Sequence, residues 1–201
     1  MTLTAVLFAG GYSRRMGKDK ATLSINGEPL WARQLRILRA LNPAGILVSA
    51  RLRPEWCPAE IPVVLDEPPS RGPLSGLSAA LKKSETTHLL ALAVDLPRMT
   101  SGHLQKLWKL AGDDWGVVPS IDGKFEPLCA IYLCGKCVET AAGDALCGHD
   151  FSLQSFLAGL IGQNHLRVFS VPDSERDDYL NTNSPADFAR VVAETKRIYV
   201  P

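Results

Sequence analysis

Thr4-Ala5-Val6-Leu7-Phe8-Ala9-Gly10-Gly11-Tyr12-Ser13-Arg14-Arg15-Met16-Gly17-Lys18-Asp19-Lys20 is the stretch on which the reading of this chain turns. It begins as the largely apolar run Thr4 to Phe8, the pattern of a buried strand, and passes through paired glycines into a basic loop. A strand that ends in glycines and cations has the chemistry of a phosphate cradle. Glycine tolerates positive φ and lets a phosphate come close to the backbone N–H groups. Within the loop Arg14, Arg15, Lys18 and Lys20 are opposed only by Asp19, whereas the whole chain carries a net charge of +1. Positive charge is concentrated where a polyphosphate can use it.

Two familiar phosphate loops do not match. A Walker A loop places four residues between its glycines and follows its lysine with Ser or Thr for magnesium. Here five residues separate Gly11 from Gly17, and Lys18 is followed by Asp19, which disfavours a P-loop NTPase. The dinucleotide pattern G-x-G-x-x-G is not supplied by adjacent glycines, which disfavours NAD binding.

The rest of the composition narrows the class. A chain of 201 residues with 46% hydrophobic content has the size of one large domain, expected to span 1–201. Charged residues are 21% of the total with no long run of one sign, so no nucleic-acid partner is expected. No apolar stretch approaches the roughly 20 residues that span a bilayer. The chain starts without a basic segment and cleavage site, so a cytoplasmic protein with no membrane partner is expected. Five irregularly spaced cysteines fit a reducing compartment better than a disulfide framework. Cys134-Gly-Lys-Cys137 has no second C-x-x-C, and the expectation is a helix carrying two unpaired thiols rather than a metal site.

Along the chain, strands and helices alternate. Thr22 to Ile25 reads as a short extended piece ending in the Asn26-Gly27 turn, and a helix follows from Pro29 until Pro43 stops it. Ile46 to Val48 and Val63 to Leu65 read as strands around a loop, Ala50 to Pro62, that contains three prolines. Gly72-Pro73-Leu74-Ser75-Gly76 opens a helix. The continuous apolar run from His88 to Val94 marks a strand covered on both faces, and it delivers Asp95 to its C-terminal end. In open parallel sheets that edge binds ligands, and the first loop leaves its own strand there too. Thr100 caps a helix, Val117-Val118 is a strand, Asp122-Gly123 is a hairpin turn, and Leu128 to Leu133 returns as a strand. Helices over Gly135 to Leu146 and Ser152 to Leu160, a strand near Leu166 to Val171, and a last helix capped by Ser184 with Pro185 at its first position complete the pattern. The fold class predicted is α/β: a three-layer α/β/α sandwich, mostly parallel, with one antiparallel strand after the hairpin.

The pattern A-G-G-x-S-x-R-M-G-x-D-K over Ala9 to Lys20 resembles the signature loop of the molybdenum cofactor guanylyltransferases, the MobA family within the nucleotidyltransferase superfamily. Further anchors are Asp66, Gly72 to Gly76, Asp95 with Pro97, Phe125-Glu126-Pro127-Leu128, and Asn181-Thr182-Asn183-Ser184-Pro185, so the resemblance covers nearly the whole chain. It implies a Rossmann-like nucleotide-diphospho-sugar transferase fold and the substrates GTP and molybdopterin, giving the guanine dinucleotide cofactor and pyrophosphate. It also implies Phe8, Ala9, Gly10, Gly11, Lys20, Asp66, Gly72 and Asp95 as nucleotide-binding residues, with Arg15, Lys20 and Asp95 as catalytic. Arg15 and Lys20 are expected to hold the triphosphate, and Asp95 to ligate Mg, which takes only one or two carboxylates. Asn183 lies where the superfamily often places a second group near the metal. Partners expected are the two substrates and molybdoenzyme-delivery proteins, with the chain a monomer.

Gly10-Gly11 and Gly72-Pro73-Leu74 favour guanine over the related cytidylyl branch, which usually reads Ala-Ala-Gly in the first loop. Two positions depart from the family pattern: Phe8 replaces the usual Leu beside the base, and around Ser49-Ala50-Arg51 the family commonly presents an Asn. The readings left open are a molybdopterin cytidylyltransferase, a sugar-phosphate nucleotidyltransferase, and a non-catalytic nucleotide-binding protein that delivers the cofactor.

Overall fold

The computed structural model describes residues 1–10, 19–66, 69–182 and 184–198, with side chains placed up to residue 193. Gly11, Arg15 and Asn183, all named above, lie outside the described residues. The chain begins with β1 (Leu3–Phe8), followed by a 3-10 turn (Lys20–Thr22) and the small hairpin of β2 (Ser24–Ile25) and β3 (Glu28–Pro29). Then come α1 (Leu30–Arg39), β4 (Gly45–Ala50), β5 (Val63–Leu65), α2 (Pro73–Lys83), β6 (His88–Ala93) and α3 (Ser101–Leu110). The second half holds β7 (Gly116–Ile121), β8 (Lys124–Phe125), β9 (Cys129–Leu133), α4 (Lys136–Cys147), α5 (Leu153–Gly162), β10 (Leu166–Ser170) and α6 (Pro185–Ile198).

The main sheet runs β10-β7-β9-β6-β1-β4-β5, with β8 paired to β7. β1 is central and parallel to both neighbours, Ala5 opposite Ile46 on β4 and Leu90 on β6. Its six residues are all buried, Thr4 among them, as a largely apolar strand covered on both faces requires. β9 runs antiparallel to both β6 and β7, and is the reversed strand expected after the hairpin. Asp122 and Gly123 make that hairpin with φ of 49° and 76°, the two-residue turn whose twist suits antiparallel strands.

Alternate strand residues serve opposite faces. Ala5, Leu7, Leu90 and Leu92 pack with Leu35 and Leu38 of α1 and with Leu104 and Leu107 of α3. Val6, Phe8, Leu89 and Ala91 pack with Leu74, Leu77 and Leu81 of α2 and with Leu157 and Leu160 of α5. This is the three-layer α/β/α sandwich that the pattern predicted. Side chains at the helix starts satisfy the first N–H groups: Thr100 accepts from the His103 N–H at 3.1 Å, and Ser184 and Asp187 cap each other's backbone at 3.2 and 2.8 Å.

Some local readings shift. Residues 20 to 22 coil into the 3-10 turn, so the extended piece shrinks to Ser24–Ile25. Cys134 precedes α4 instead of riding on it, with its Sγ 3.4 Å from Ser84 Oγ. All five cysteines are free thiols, and the described residues contain no group of three or more His, Cys, Asp or Glu arranged for a metal. A second 3-10 helix, Asp173–Tyr179, occupies a stretch to which the sequence pattern gave no element. No helix among the described residues is long and apolar enough to cross a membrane.

Candidate active site

The chain leaves β1, β4, β5 and β6 at one edge of the sheet, because parallel strands share a direction and so share a C-terminal edge. Each exit puts a short loop there. Phe8 ends β1, with Ala9 and Gly10 after it; Ser49 and Arg51 come from the end of β4; Asp66 follows β5; and Ala93 ends β6, with Val94 and Asp95 after it. Together with Asp19, Lys20, Gly72, Pro73, Gly76 and Leu128 they line a cleft of about 310 Å³. Phe8, Ala9, Gly10, Lys20, Asp66, Gly72 and Asp95, all expected to bind nucleotide, therefore meet in one place. Backbone hydrogen bonds hold the rim in register: the Ala9 N–H donates to Ser49 O at 2.9 Å, Val94 to Phe8 O at 3.0 Å, and Ala93 to Leu128 O at 2.7 Å.

Lys20 is carried by the 3-10 turn, which Asp19 caps by accepting from the Ala21 N–H at 3.0 Å. The other carboxylate oxygen of Asp19 accepts from the Trp56 indole N–H at 3.0 Å, and Trp56 stacks on Trp31 of α1 with centroids 5.4 Å apart. The turn is thus fastened to both α1 and the long loop after β4. From it the Lys20 ammonium reaches Asp95, donating to Oδ2 at 2.9 Å. The two side chains are 17% and 20% exposed, so the pair is set into the cleft while still open to ligand.

Asp95 is fixed through its main chain. Its carbonyl accepts from the Thr182 N–H at 3.1 Å, and the next carbonyls, of Leu96 and Pro97, accept from Gln34 Nε2 at 2.6 Å and Arg33 Nε at 2.7 Å. Glu126, half-buried just before β9, has its carboxyl pushed above the usual range by burial and secondarily by the negative charge of Asp95. Lys20 and Asp95 thus set one cation and one carboxylate side by side in the cleft, groups suited to a phosphate oxygen and to a divalent cation respectively.

The far wall is the start of α2. Gly72 adopts φ +75°, a conformation that a side chain would strain, and Pro73 occupies the first helical position. Asp66 accepts from Ser70 Oγ at 2.7 Å. One turn into α2, a Cβ on Gly76 would lie 2.5 Å from Ser49 Oγ, 3.2 Å from Asp66 Oδ1 and 3.4 Å from the Phe8 ring. Gly76 thus keeps the floor open where Phe8, Ser49 and Asp66 converge, an apolar face beside hydrogen-bonding groups that suits a nucleobase. Gly76, Ser49 and Leu128 fall within stretches that the sequence marks, Gly72 to Gly76, Ser49-Ala50-Arg51 and Phe125 to Leu128, but none of the three is named there as a nucleotide-binding residue.

Relatives and solved structures agree with this geometry. Residues 5–163 match the model of the MobA-like NTP transferase domain. A protein of Opitutus terrae named as a probable molybdenum cofactor guanylyltransferase is 35% identical, the alignment covering 92% of each chain. A molybdenum cofactor guanylyltransferase of Xanthomonas euvesicatoria is 29% identical over 95% of each. Among solved structures, the molybdopterin-guanine dinucleotide biosynthesis protein A of Archaeoglobus fulgidus superposes with a TM-score of 0.72 at 22% identity, over 96% of this chain and 99% of that one. The 2-C-methyl-D-erythritol 4-phosphate cytidylyltransferase of Thermus thermophilus gives 0.67 at 16% identity, over 95% and 98%, and shares the fold. With the signature loop, the sheet and the cleft in agreement, the chain belongs to the MobA-like NTP transferase family.

Proposed function

We propose that the chain transfers GMP from GTP to molybdopterin, forming the guanine dinucleotide cofactor and releasing pyrophosphate. The observation that carries this reading is the gathering of Phe8, Ala9, Gly10, Lys20, Asp66, Gly72 and Asp95 around one cleft. A relative 35% identical to the chain, named for guanylyl transfer, supports the choice of base. In the reaction an oxygen of the acceptor phosphate attacks the α-phosphorus of GTP. A new P–O bond forms as the α–β bridging bond breaks, and its electron pair departs with pyrophosphate. Little covalent chemistry is left to the protein, whose work is positioning and charge stabilisation.

Phe8, Ser49 and Asp66 hold the base, Ala9 and Gly10 lie along the nucleotide through their backbone, and Gly72 brings the start of α2 to the phosphates. Lys20, with Arg15, stabilises charge that grows on the departing pyrophosphate. Magnesium is the cofactor that this reading calls for. Asp95 fits it, since this cation takes one or two carboxylates and fills its remaining positions with phosphate oxygens and waters. Bound there, it would supply charge neutralisation on the triphosphate.

The deciding experiment incubates the protein with each NTP, magnesium and molybdopterin, follows pyrophosphate release and identifies the product by mass. A guanine dinucleotide formed from GTP alone is expected. Strong preference for CTP would overturn the guanylyl assignment, and nucleotide binding with no pyrophosphate released would favour a delivery role.

A further inference from the structure

The turn that presents Lys20 is three residues long, and a 3-10 turn so short has poor hydrogen-bond geometry of its own. Its position has to come from outside. On the downstream side Ala21 is fully buried, and the Leu23 carbonyl accepts from the Leu30 N–H at 2.8 Å, which ties the turn to the start of α1. Lys20 stands at the other end, directly after Asp19, whose Oδ2 accepts from the Trp56 indole N–H at 3.0 Å. We infer that Trp56, which lies outside the set of residues lining the cleft, is a positioning residue: through Asp19 its N–H sets the backbone from which the Lys20 ammonium reaches inward. The inference rests on the reading of Lys20 as a triphosphate-binding cation and deepens it by naming what aims that cation.

Trp56 is itself firmly seated. Its ring stacks on Trp31 at an interplanar angle of 15°. Its neighbours in the loop after β4 are anchored, Cys57 and Ile61 in the apolar cluster and Arg53 by donating from Nη2 to the Pro58 carbonyl at 2.9 Å. An indole N–H only donates, so it demands an acceptor, and a carboxylate makes the bond charge-assisted. The other oxygen of Asp19 is taken by the Ala21 N–H at 3.0 Å. Held at both oxygens, the Asp19 side chain cannot swing, and the main chain into Lys20 is fixed with it. A solvent-exposed bond of this kind adds little to the stability of the whole chain. For placement the scale is different, because a shift of about 1 Å in a reacting constellation costs about 10²-fold in rate. The contact therefore matters more to aim than to folding.

Trp56→Phe tests this on the full chain, since it keeps a ring on Trp31 and removes the N–H. The first readout is amide hydrogen exchange without ligand. The N–H groups of Ala21, Thr22 and Leu23, all bonded within the turn, are expected to exchange on the order of tenfold faster in the variant, while those of α3 keep their rates. The melting temperature should stay within about 4 °C of the unsubstituted protein. The second readout is turnover with magnesium, molybdopterin and whichever NTP the protein uses, where kcat is expected to fall about tenfold. Added to Lys20→Ala, the same substitution should change kcat by less than about twofold, because its effect passes through the lysine. A merely structural contribution would instead multiply the two losses. Unchanged exchange in the turn overturns the inference, as do multiplied losses. A rise in exchange throughout the chain with a collapsed melting temperature overturns it too, since Trp56 would then hold the fold and not the turn. Absence of turnover with every NTP in the unsubstituted protein would sink the transferase reading, and exchange in the turn would still decide whether Trp56 sets it.

Discussion

At the scale of single residues, Lys20 and Asp95 contribute to the reaction more than to the stability of the chain. Both side chains lie at the cleft surface and neither belongs to the apolar clusters. Lys20→Ala and Asp95→Ala are each expected to lower kcat by roughly 10²–10³, as loss of one charge-stabilising group does elsewhere. Steady-state pyrophosphate release reads the loss, with an unchanged melting temperature as its companion. Gly76 behaves in the opposite way. Gly76→Ala pushes a methyl against Ser49 Oγ and is expected to cost about 1–3 kcal/mol in urea unfolding and to raise KM for the nucleotide. Adding Ser49→Ala should recover part of the stability, because that oxygen is the nearest obstacle. The glycine loop, Asp66 and Asp95 were legible in the sequence because each stands in a motif at a strand exit. The bond from Trp56 to Asp19 was not, since it joins residues 37 apart.

Among the elements, the 3-10 helix Asp173–Tyr179 acts as a strap between α3 and the cleft. Tyr179 is buried, its hydroxyl 2.5 Å from His103 Nε2, and Arg98 and Lys106 pair with Asp177 and Glu175 at 2.9 and 2.6 Å. Three residues further on, Thr182 grips the Asp95 carbonyl. Tyr179→Phe leaves a buried imidazole nitrogen unpartnered and is expected to lower stability by about 1–3 kcal/mol, measured by urea unfolding. Burial also holds His103 and His88 below the ordinary imidazole value of 6.5. The unfolded chain therefore takes up protons first, and stability should fall as pH drops below 6.5 toward the lower folded values. Asp178 and Glu126 act with the opposite sign, since burial raises both, and their contribution is present at acid pH and lost as pH rises through the folded values. Urea midpoints between pH 7.5 and 5.5 should show the imidazole slope, shallower in His103→Gln. The strap was not legible in the sequence because Asp173 to Asp178 carry no apolar period. Its conformation is set by partners far along the chain, on α3, at Arg98 before it and at Asp122 in the hairpin turn.

For the whole molecule, burial across the sheet decides where stability resides. Leu7 is fully buried on the central strand, whereas Leu65 is 49% exposed on the edge strand β5. Leu7→Ala is expected to cost about 2–5 kcal/mol in chemical unfolding. Leu65→Ala should stay within about 0.5 kcal/mol. The α/β class was legible from alternating apolar runs and helix caps, and the reversed strand from its two-residue turn. Strand order was not, because the place of β9 between β6 and β7 follows from long-range pairing that no local pattern encodes. That reversal reaches further than topology. β9 meets the cleft with its beginning, where Leu128 lines the wall and holds the Ala93 N–H, while β1 and β6 meet it with their ends. Chain arriving at a rim can grow upstream of its anchoring bond without displacing the strands that carry Phe8 and Asp95. The approach to Leu128 therefore lies on the rim of the cleft and outside the two strands that deliver Phe8 and Asp95 to it.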